Sequence, residues 1–435
     1  MAETITRNAG RVPPGPAADY SSSEDLFLWM NENFARHGDI YQATIYGETV
    51  YVVSNPEHCE RVLRRNWRNY ARSGQVVKRI ALLLGNGLIS SNGEFWASQR
   101  RMVQPSFTKS SVGGFAGMMR QANTELLEQW IAAARTGQTV NVTRDVSAMV
   151  LKITLLSIFG DDYPVVAPQF DMLADDRTRN LEFAQAFRAK SRVILDVAAR
   201  RRRDGVRGGD ILDNLMHARD RDRGEPMSDA QMAKEAITLV VAGHETTAGL
   251  LNWVWYLLSR HPEVEARLAE ELARTTWECG AAVETLGRYD YTKQVIEEAL
   301  RLYPPLWMMT RRALQEDRLG DFVVPKGTEI YISPYLIQRN PEFWEVPERF
   351  DPDRMAAAGV ASRPELAMCP FGAGPRNCIG ESFARLEMQM HLVMFASRLR
   401  LRHDETEPAE FTTGMNLLSR DDFIMRPELK ATPDA

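Results

Sequence analysis

The sequence predicts a mainly α-helical fold with a minor β portion, on three observations. Apolar residues recur at helical spacing over most of the stretch from 55 to 398. Strand-like segments are short and confined to residues 41–54 and 322–333. One helical run, from Ser228 to Leu258, is far longer than the others. The 435 residues, 44% hydrophobic and 26% charged, have ordinary globular composition and can bury a large core without disulfides. Length alone allows roughly three domains at about 150 residues each. No repeat or long linker interrupts the chain, which therefore reads as one domain over residues 1–435.

Segments 41–45 and 50–54 flank Tyr46-Gly47-Glu48 and read as a hairpin. Helical patterns follow at 55–65, 93–101, 112–136 and 143–159, and polar surface loops at 205–209 and 219–226. Ser228 and Gln231, after Pro226, read as a capping box that opens the long helix. At 1.5 Å per residue this helix is roughly 46 Å long, and residues 237–243 are apolar nearly all round, as in a buried central helix. Pro262 opens a helix to about residue 274, and another over 292–302 is stopped by Pro304-Pro305. Short strands at 322–324 and 329–333 bracket the turn Pro325-Lys326-Gly327, and a last helix runs from near Cys378 to about residue 398.

Several function classes fall away on composition. A net charge of −5 gives no case for nucleic-acid binding. The N-terminus is polar and Pro-rich, and no apolar stretch approaches the ~20 residues of a membrane helix. A cytoplasmic protein without a membrane anchor is expected. Cys59, Cys279, Cys369 and Cys378 form no CxxC, so a disulfide framework and a structural zinc site are not expected.

Cys378 stands apart, in Phe371-Gly372-Ala373-Gly374-Pro375-Arg376-Asn377-Cys378-Ile379-Gly380. Glycines let the backbone wrap close to the sulfur, and a following helix directs its positive end there, which favours a thiolate. The glycines match no phosphate-binding loop. F-G-x-G-x-R-x-C-x-G resembles the haem-binding loop of the cytochrome P-450 family of haem-thiolate monooxygenases. Four further stretches resemble that family's elements in the expected order. They are Trp96 to Arg100 (W-x-x-x-R), Ala242-Gly243-His244-Glu245-Thr246-Thr247 (A-G-x-[DE]-T-T), Glu298 to Arg301 (E-x-x-R) and Pro347-Glu348-Arg349-Phe350 (P-E-R-F).

The resemblance implies the cytochrome P-450 fold, with haem b (iron protoporphyrin IX) between the long helix and the Cys loop. Cys378 would be the metal ligand, pushing electron density onto iron. Phe371 and Gly380 belong to the same loop, and Trp96, Arg100, Arg311 and Arg376 match the family's haem-propionate partners; arginine stays charged and grips a carboxylate in two places. Gly243 would leave room for dioxygen. Glu245 and Thr246 are an acid–alcohol pair in an apolar segment, a desolvated arrangement suited to proton delivery. A structural ion pair and a hydroxyl bonded back to its own helix form the alternative reading of that pair. His244 occupies the motif's variable position and is expected to point away from the haem. Glu298, Arg301 and Arg349 would form a buried structural triad. Val241, Ala242, Met308 and Met309 fall where the family lines its substrate cavity, although both methionines also suit core filling. The basic run 200–203 reads as a solvated face or a helix-dipole partner.

The implied activity inserts one atom of dioxygen into a C–H or C=C bond of an apolar small molecule of lipid, terpenoid or polyketide type. Electrons would pass from NAD(P)H through a ferredoxin or flavodoxin and its reductase, with no fused reductase domain and a monomeric enzyme. Two rivals stay open: a haem-thiolate peroxygenase or isomerase, and a non-catalytic haem sensor. The acid–alcohol pair weighs against both. The stretch 161–203 is short for the family's usual lid of two helices, and a truncated lid is expected.

Overall fold

The computed structural model describes residues 11–21, 25–171, 173, 190–274 and 283–430. Cys279 and most of the segment expected to form a shortened lid (172 and 174–189) lie outside the described residues. The chain divides into two units, each built from three chain segments: 1–78, 307–348 and 361–377, and 79–306, 349–360 and 378–435. Because the segments interleave, no single linker marks the division in the sequence.

In the first unit a five-stranded sheet runs in the order Ile40–Ile45, Glu48–Val53, Glu329–Ile332, Met309–Ala313, Tyr70–Ala71. The first two strands are the predicted hairpin, closed by Tyr46 and Gly47 at φ 52° and 75°. Two left-handed residues give a two-residue turn whose twist matches the strands it joins. Val50 to Val53 pair in parallel with Glu329 to Ile332, and Met309 to Arg312 pair antiparallel with the same strand. The expected helix over 55–65 is a short α-helix, Pro56–Glu60, capped by Asn55 and continued as a π-helical turn, Arg61–Arg65. Cys59 and Cys369 lie in the core with Val62, Ile330 and Ile332. Burial pushes the Cys369 thiol up to about 12 and raises that of Cys59 well above its ordinary value, so both are inert.

The second unit is organised on the central helix, Asp229–Arg260, within two residues of the expected span. The Ser228 hydroxyl accepts the Gln231 N–H at 3.2 Å. The reciprocal half of the capping box is absent, because the Gln231 amide donates to Glu235 and to the Asn86 carbonyl instead. Helix Val142–Phe159 packs along the central helix, and the predicted helix over 112–136 is two pieces, Lys109–Gly114 and Ala116–Thr136. The basic run 200–203 departs from its solvated-face reading. Arg201 is 3% exposed and donates to Asp162, Asp210 and the Phe159 carbonyl, while Arg200 and Arg202 pair with Asp162 and Asp229. The chain closes with strands Leu399–Arg402 and Ile424–Leu429 beside Val140–Asn141, and with a hairpin of Phe411–Thr413 and Leu417–Ser419. No described helix is long and apolar enough to cross a membrane.

Candidate active site

The central helix is buried at every position from 235 to 258 except 241, 242, 243, 245 and 246. An apolar helix that becomes accessible over one short stretch, carrying a carboxylate and a hydroxyl there, has the polarity of a ligand-facing surface. The five accessible positions include both members of the acid–alcohol pair. The Thr246 hydroxyl donates to the Ala242 carbonyl at 2.8 Å, the back-bond of the alternative reading, which leaves its lone pairs to accept. Glu245 is held by a partner that sequence reasoning missed: Asn416 Nδ2 donates to Glu245 Oε2 at 2.5 Å. His244 turns the other way, buried with its ring nitrogen 2.9 Å from the Ser147 hydroxyl. Gly243 also meets a packing need. A Cβ there would stand 3.3 Å from Thr154 Cγ2 on helix Val142–Phe159, so the glycine lets that helix pack close.

Cys378 is exposed, unlike the two cysteines of the first unit. The helix that follows it, Glu381–Ala396, starts three residues later than the sequence predicts, with Gly380 as its cap. A Cβ at Gly380 would lie 4.0 Å from both Cys378 Sγ and Phe107 Cε1, ordinary contact, so this glycine is not required for space. Helix Gly93–Val103 supplies Trp96, 6% exposed, and Arg100. Burial lowers the Arg100 pKa, and the negative form of Cys378 acts in the opposite sense, which places the guanidinium within electrostatic reach of the sulfur.

In the first unit three arginines gather. Arg311, 6% exposed on strand Met309–Ala313, has its pKa pushed well down by burial and then by Arg72 and Arg376. Arg376 falls to about 9, again by burial and then by Arg72. Arg72 was not foreseen; its sequence context carries no motif, and the backbone beside it is fixed by the Thr310 hydroxyl donating to the Ser73 carbonyl. Two desolvated guanidinium groups with a third, half-buried one repelling both fit an anionic ligand with more than one carboxylate. Gly374 (φ 71°) earns its place, since a Cβ there would lie 2.0 Å from the Leu63 carbonyl. Phe371 is half-buried in the same loop. Met309 belongs to the hydrophobic core cluster of the first unit, and Met308 is also buried.

The buried charge cluster differs from the expected triad. Glu298 and Arg301 are fully buried and meet side by side at 2.7 and 2.8 Å. The second cation on Glu298 is Arg354, whose Nε lies 3.1 Å from Oε1 in a charge contact. Arg349 contributes only its carbonyl, which accepts from Arg301 at 3.1 Å, while its exposed side chain pairs with Asp351.

A carboxyl absent from the sequence reading ties the segment before the Trp96 helix to the central helix. Glu235, fully buried, accepts the Leu88 N–H at 3.0 Å and the Gln231 amide at 2.7 Å. Gly87 makes this approach possible, since a Cβ there would lie 2.7 Å from Thr238 Oγ1. Burial raises the Glu235 pKa from 4.5 to about 6. A carboxyl that holds its proton more tightly when folded contributes stability at low pH, and that contribution is lost as pH rises through the window from about 4.5 to about 6. The shift corresponds to about 2 kcal/mol. Glu235→Gln is expected to flatten this decline in thermal unfolding temperature across the window; a slope equal to that of the unchanged protein would contradict the assignment.

Among the described residues no group of three or more His, Cys, Asp or Glu could hold a metal ion. A metal bound through one thiolate in a carboxylated macrocycle needs no such group. In the second unit the accessible sulfur and the acid–alcohol pair suit the iron and dioxygen of a porphyrin, and in the first unit the desolvated Arg311 and Arg376 suit its carboxylates; each set, taken by itself, has the chemistry of a haem-thiolate oxygenase. The chain belongs to the cytochrome P450 family, whose profile matches residues 15–197 and 171–425. It is 32% identical over 391 residues to cyclooctatin synthase of Streptomyces melanosporofaciens, an alignment covering 84% of this chain and 83% of that protein. It is 31% identical over 387 residues to cyclooctat-9-en-7-ol 5-monooxygenase of the same organism, with the same shares covered. To pentalenene oxygenase of Streptomyces avermitilis it is 30% identical over 396 residues, 86% of each chain. Its fold matches the crystal structure of the cytochrome P450DA haem domain with a TM-score of 0.83 and 24% identity, over 97% of this chain and 98% of that one. The protein is a monooxygenase of this family, using haem iron and dioxygen on apolar substrates.

Proposed function

We propose that the 435 residues form one catalytic domain that oxygenates a terpenoid-like hydrocarbon skeleton, with Cys378 as the iron ligand. The single observation that carries this reading is the accessible stretch 241–246 on an otherwise buried helix, which presents Glu245 and Thr246 beside apolar Val241 and Ala242. The names of the two cyclooctatin proteins and of pentalenene oxygenase support a cyclic terpenoid as the substrate class. Haem b bound at the thiolate would supply dioxygen activation. The overall change consumes one dioxygen, two electrons and two protons per C–H bond converted to C–OH, with one water released.

This chain's residues have distinct parts in it. By the family resemblance, Trp96, Arg100, Arg311 and Arg376 would hold the propionates, with Arg72 beside the last two; Phe371 and Gly380 would shape the loop that carries the ligand. Glu245 takes up protons, and the Thr246 hydroxyl, now anchored on the Ala242 carbonyl, passes them inward by rotating about its Cα–Cβ bond. By the same resemblance, Val241, Ala242, Met308 and Met309 would line the substrate side. Electrons come from NAD(P)H through a ferredoxin or flavodoxin and its reductase, in the cytoplasm, to a monomer. The test is the reduced, carbon monoxide-bound spectrum of the unchanged protein and of Cys378→Ser. A thiolate-type Soret band is expected in the first and absent in the second. The same band in both would end the reading.

A further inference from the structure

We propose that Asn416 is a positioning residue for proton delivery: it fixes the rotamer of Glu245 from a hairpin tip 171 residues further along the chain. The inference rests on the reading of Glu245 as the proton-delivering acid and adds to it the element that aims the acid. Asn416 is 8% exposed, and its Nδ2 reaches Glu245 Oε2 at 2.5 Å, a short contact for a neutral donor on a carboxylate.

The tip that carries Asn416 is itself held in place within the second unit. The Leu417 N–H donates to the Pro305 carbonyl at 2.9 Å, beyond the C-terminus of helix Asp290–Leu302. Leu418 packs on the central helix at Gly249, where a Cβ would lie 2.6 Å from Leu418 Cδ2. Gly249 lies four residues after Glu245, one turn along the same face. The missing side chain at 249 therefore lets the hairpin come down where its asparagine can reach the carboxylate. Within the tip, the Gly414 N–H donates to the Asn416 carbonyl at 3.1 Å, and at the base the Arg420 N–H donates to the Glu410 carbonyl at 2.8 Å. Asn416 thus has a fixed backbone on both sides.

Glutamate has three side-chain torsions, and an accessible one samples several rotamers. A proton relay needs the carboxylate in one place relative to the Thr246 hydroxyl, and misplacement by about 1 Å can cost ~100-fold. A neutral amide suits the task. It orients the carboxylate without the fixed charge of Lys or Arg, which would hold the anion so strongly that protonation became costly.

Four proteins test the inference: unchanged, Asn416→Ala, Glu245→Gln and the double variant, with Asn416→Asp as a same-sized arm should the alanine fail to fold. The first readout is the asparagine side-chain NMR spectrum of the reduced, carbon monoxide-bound, diamagnetic protein. One downfield amide resonance is expected to vanish in Asn416→Ala and to move upfield in Glu245→Gln. The second is product formed per electron pair consumed, expected to fall about 10-fold in Asn416→Ala with KM unchanged and the balance appearing as hydrogen peroxide. Asn416→Asp is expected to fall at least as far, because it sets two carboxylates against each other. The double variant is expected to be no worse than Glu245→Gln alone, because Asn416 acts through Glu245. Additive losses, or an amide resonance indifferent to Glu245→Gln, overturn the inference. Full coupling in Glu245→Gln would instead overturn the underlying role of Glu245, while the resonance would still report whether Asn416 holds it.

Discussion

Replacing Glu298 by alanine is expected to destabilise the protein by about 3–5 kcal/mol, the largest single-site loss of stability foreseen outside the hydrophobic core. Glu298 and Arg301 are fully buried, and Arg354, with its side chain 9% exposed, makes the further charge contact. Burial raises the Glu298 pKa even though both arginines and the Asp351 N–H pull it down, so desolvation outweighs the attraction it receives. In such a cluster the net gain from assembling the charges is small, whereas removing one member leaves the others uncompensated in a medium that cannot solvate them. Glu298→Ala leaves two guanidinium groups without their shared anion. Arg301→Ala leaves the carboxylate with Arg354 and the Asp351 N–H, and is expected to cost less. Arg354→Ala, which removes a contact without hydrogen-bond alignment, comes third. Arg349→Ala is expected to stay within about 1 kcal/mol, since the lost side chain is exposed and pairs on the surface. Urea unfolding of the four variants gives the order. A loss at Arg349 equal to that at Arg301 would restore the triad expected from P-E-R-F and refute the role given to Arg354.

That substitution of one arginine for another shows where the sequence stops informing. P-E-R-F is followed by Asp351-Pro352-Asp353-Arg354, so two arginines five residues apart compete for Glu298, and only the path of the chain decides between them. The basic run 200–203 poses the same problem: consecutive helical residues point about 100° apart, and burial selects Arg201 alone. Signals carried locally were read correctly. The central helix ends within two residues of its expected limits because Ser228 caps one end and Pro262 bounds the other. Tyr46-Gly47 closes the predicted hairpin with glycine in one of the two left-handed positions, while Tyr46 takes an unusual positive φ in the other. Strand Ile424–Leu429 was missed because Pro427 demotes a strand in any pattern reading, yet it sits where it forgoes an amide donor. The motif residues Cys378, Glu245 and Thr246 were legible by resemblance. Arg72, Glu235 and Asn416 were not, since each acts on residues far away in the chain and none belongs to a spaced pattern.

Removing the Thr246 hydroxyl is expected to lower product formation by about 100-fold or more while leaving the fold intact, within the range that a positioned acid–base group contributes. Thr246→Val keeps the shape and Thr246→Ala keeps the helix; alanine is a better helix former than threonine by some tenths of a kcal/mol. The hydroxyl now donates to its own helix at Ala242, and such back-bonds contribute little or slightly destabilise. Thermal unfolding temperature should therefore hold steady or rise in the alanine variant. Thr246→Ser, which restores the hydroxyl, is expected within a few-fold of the unchanged protein. Electrons and dioxygen still enter in the variants, so the two-electron, two-proton reduction diverts to hydrogen peroxide in place of hydroxylated product and water. Product and peroxide per NAD(P)H consumed, measured together, distinguish a lost proton path from a damaged substrate site. The damaged site would raise KM and slow NAD(P)H consumption itself; the lost path leaves consumption running and empties it into peroxide. A Thr246→Val protein with unaltered product yield would show that the hydroxyl only turns back on its helix, the bland alternative that its bond to Ala242 keeps in play.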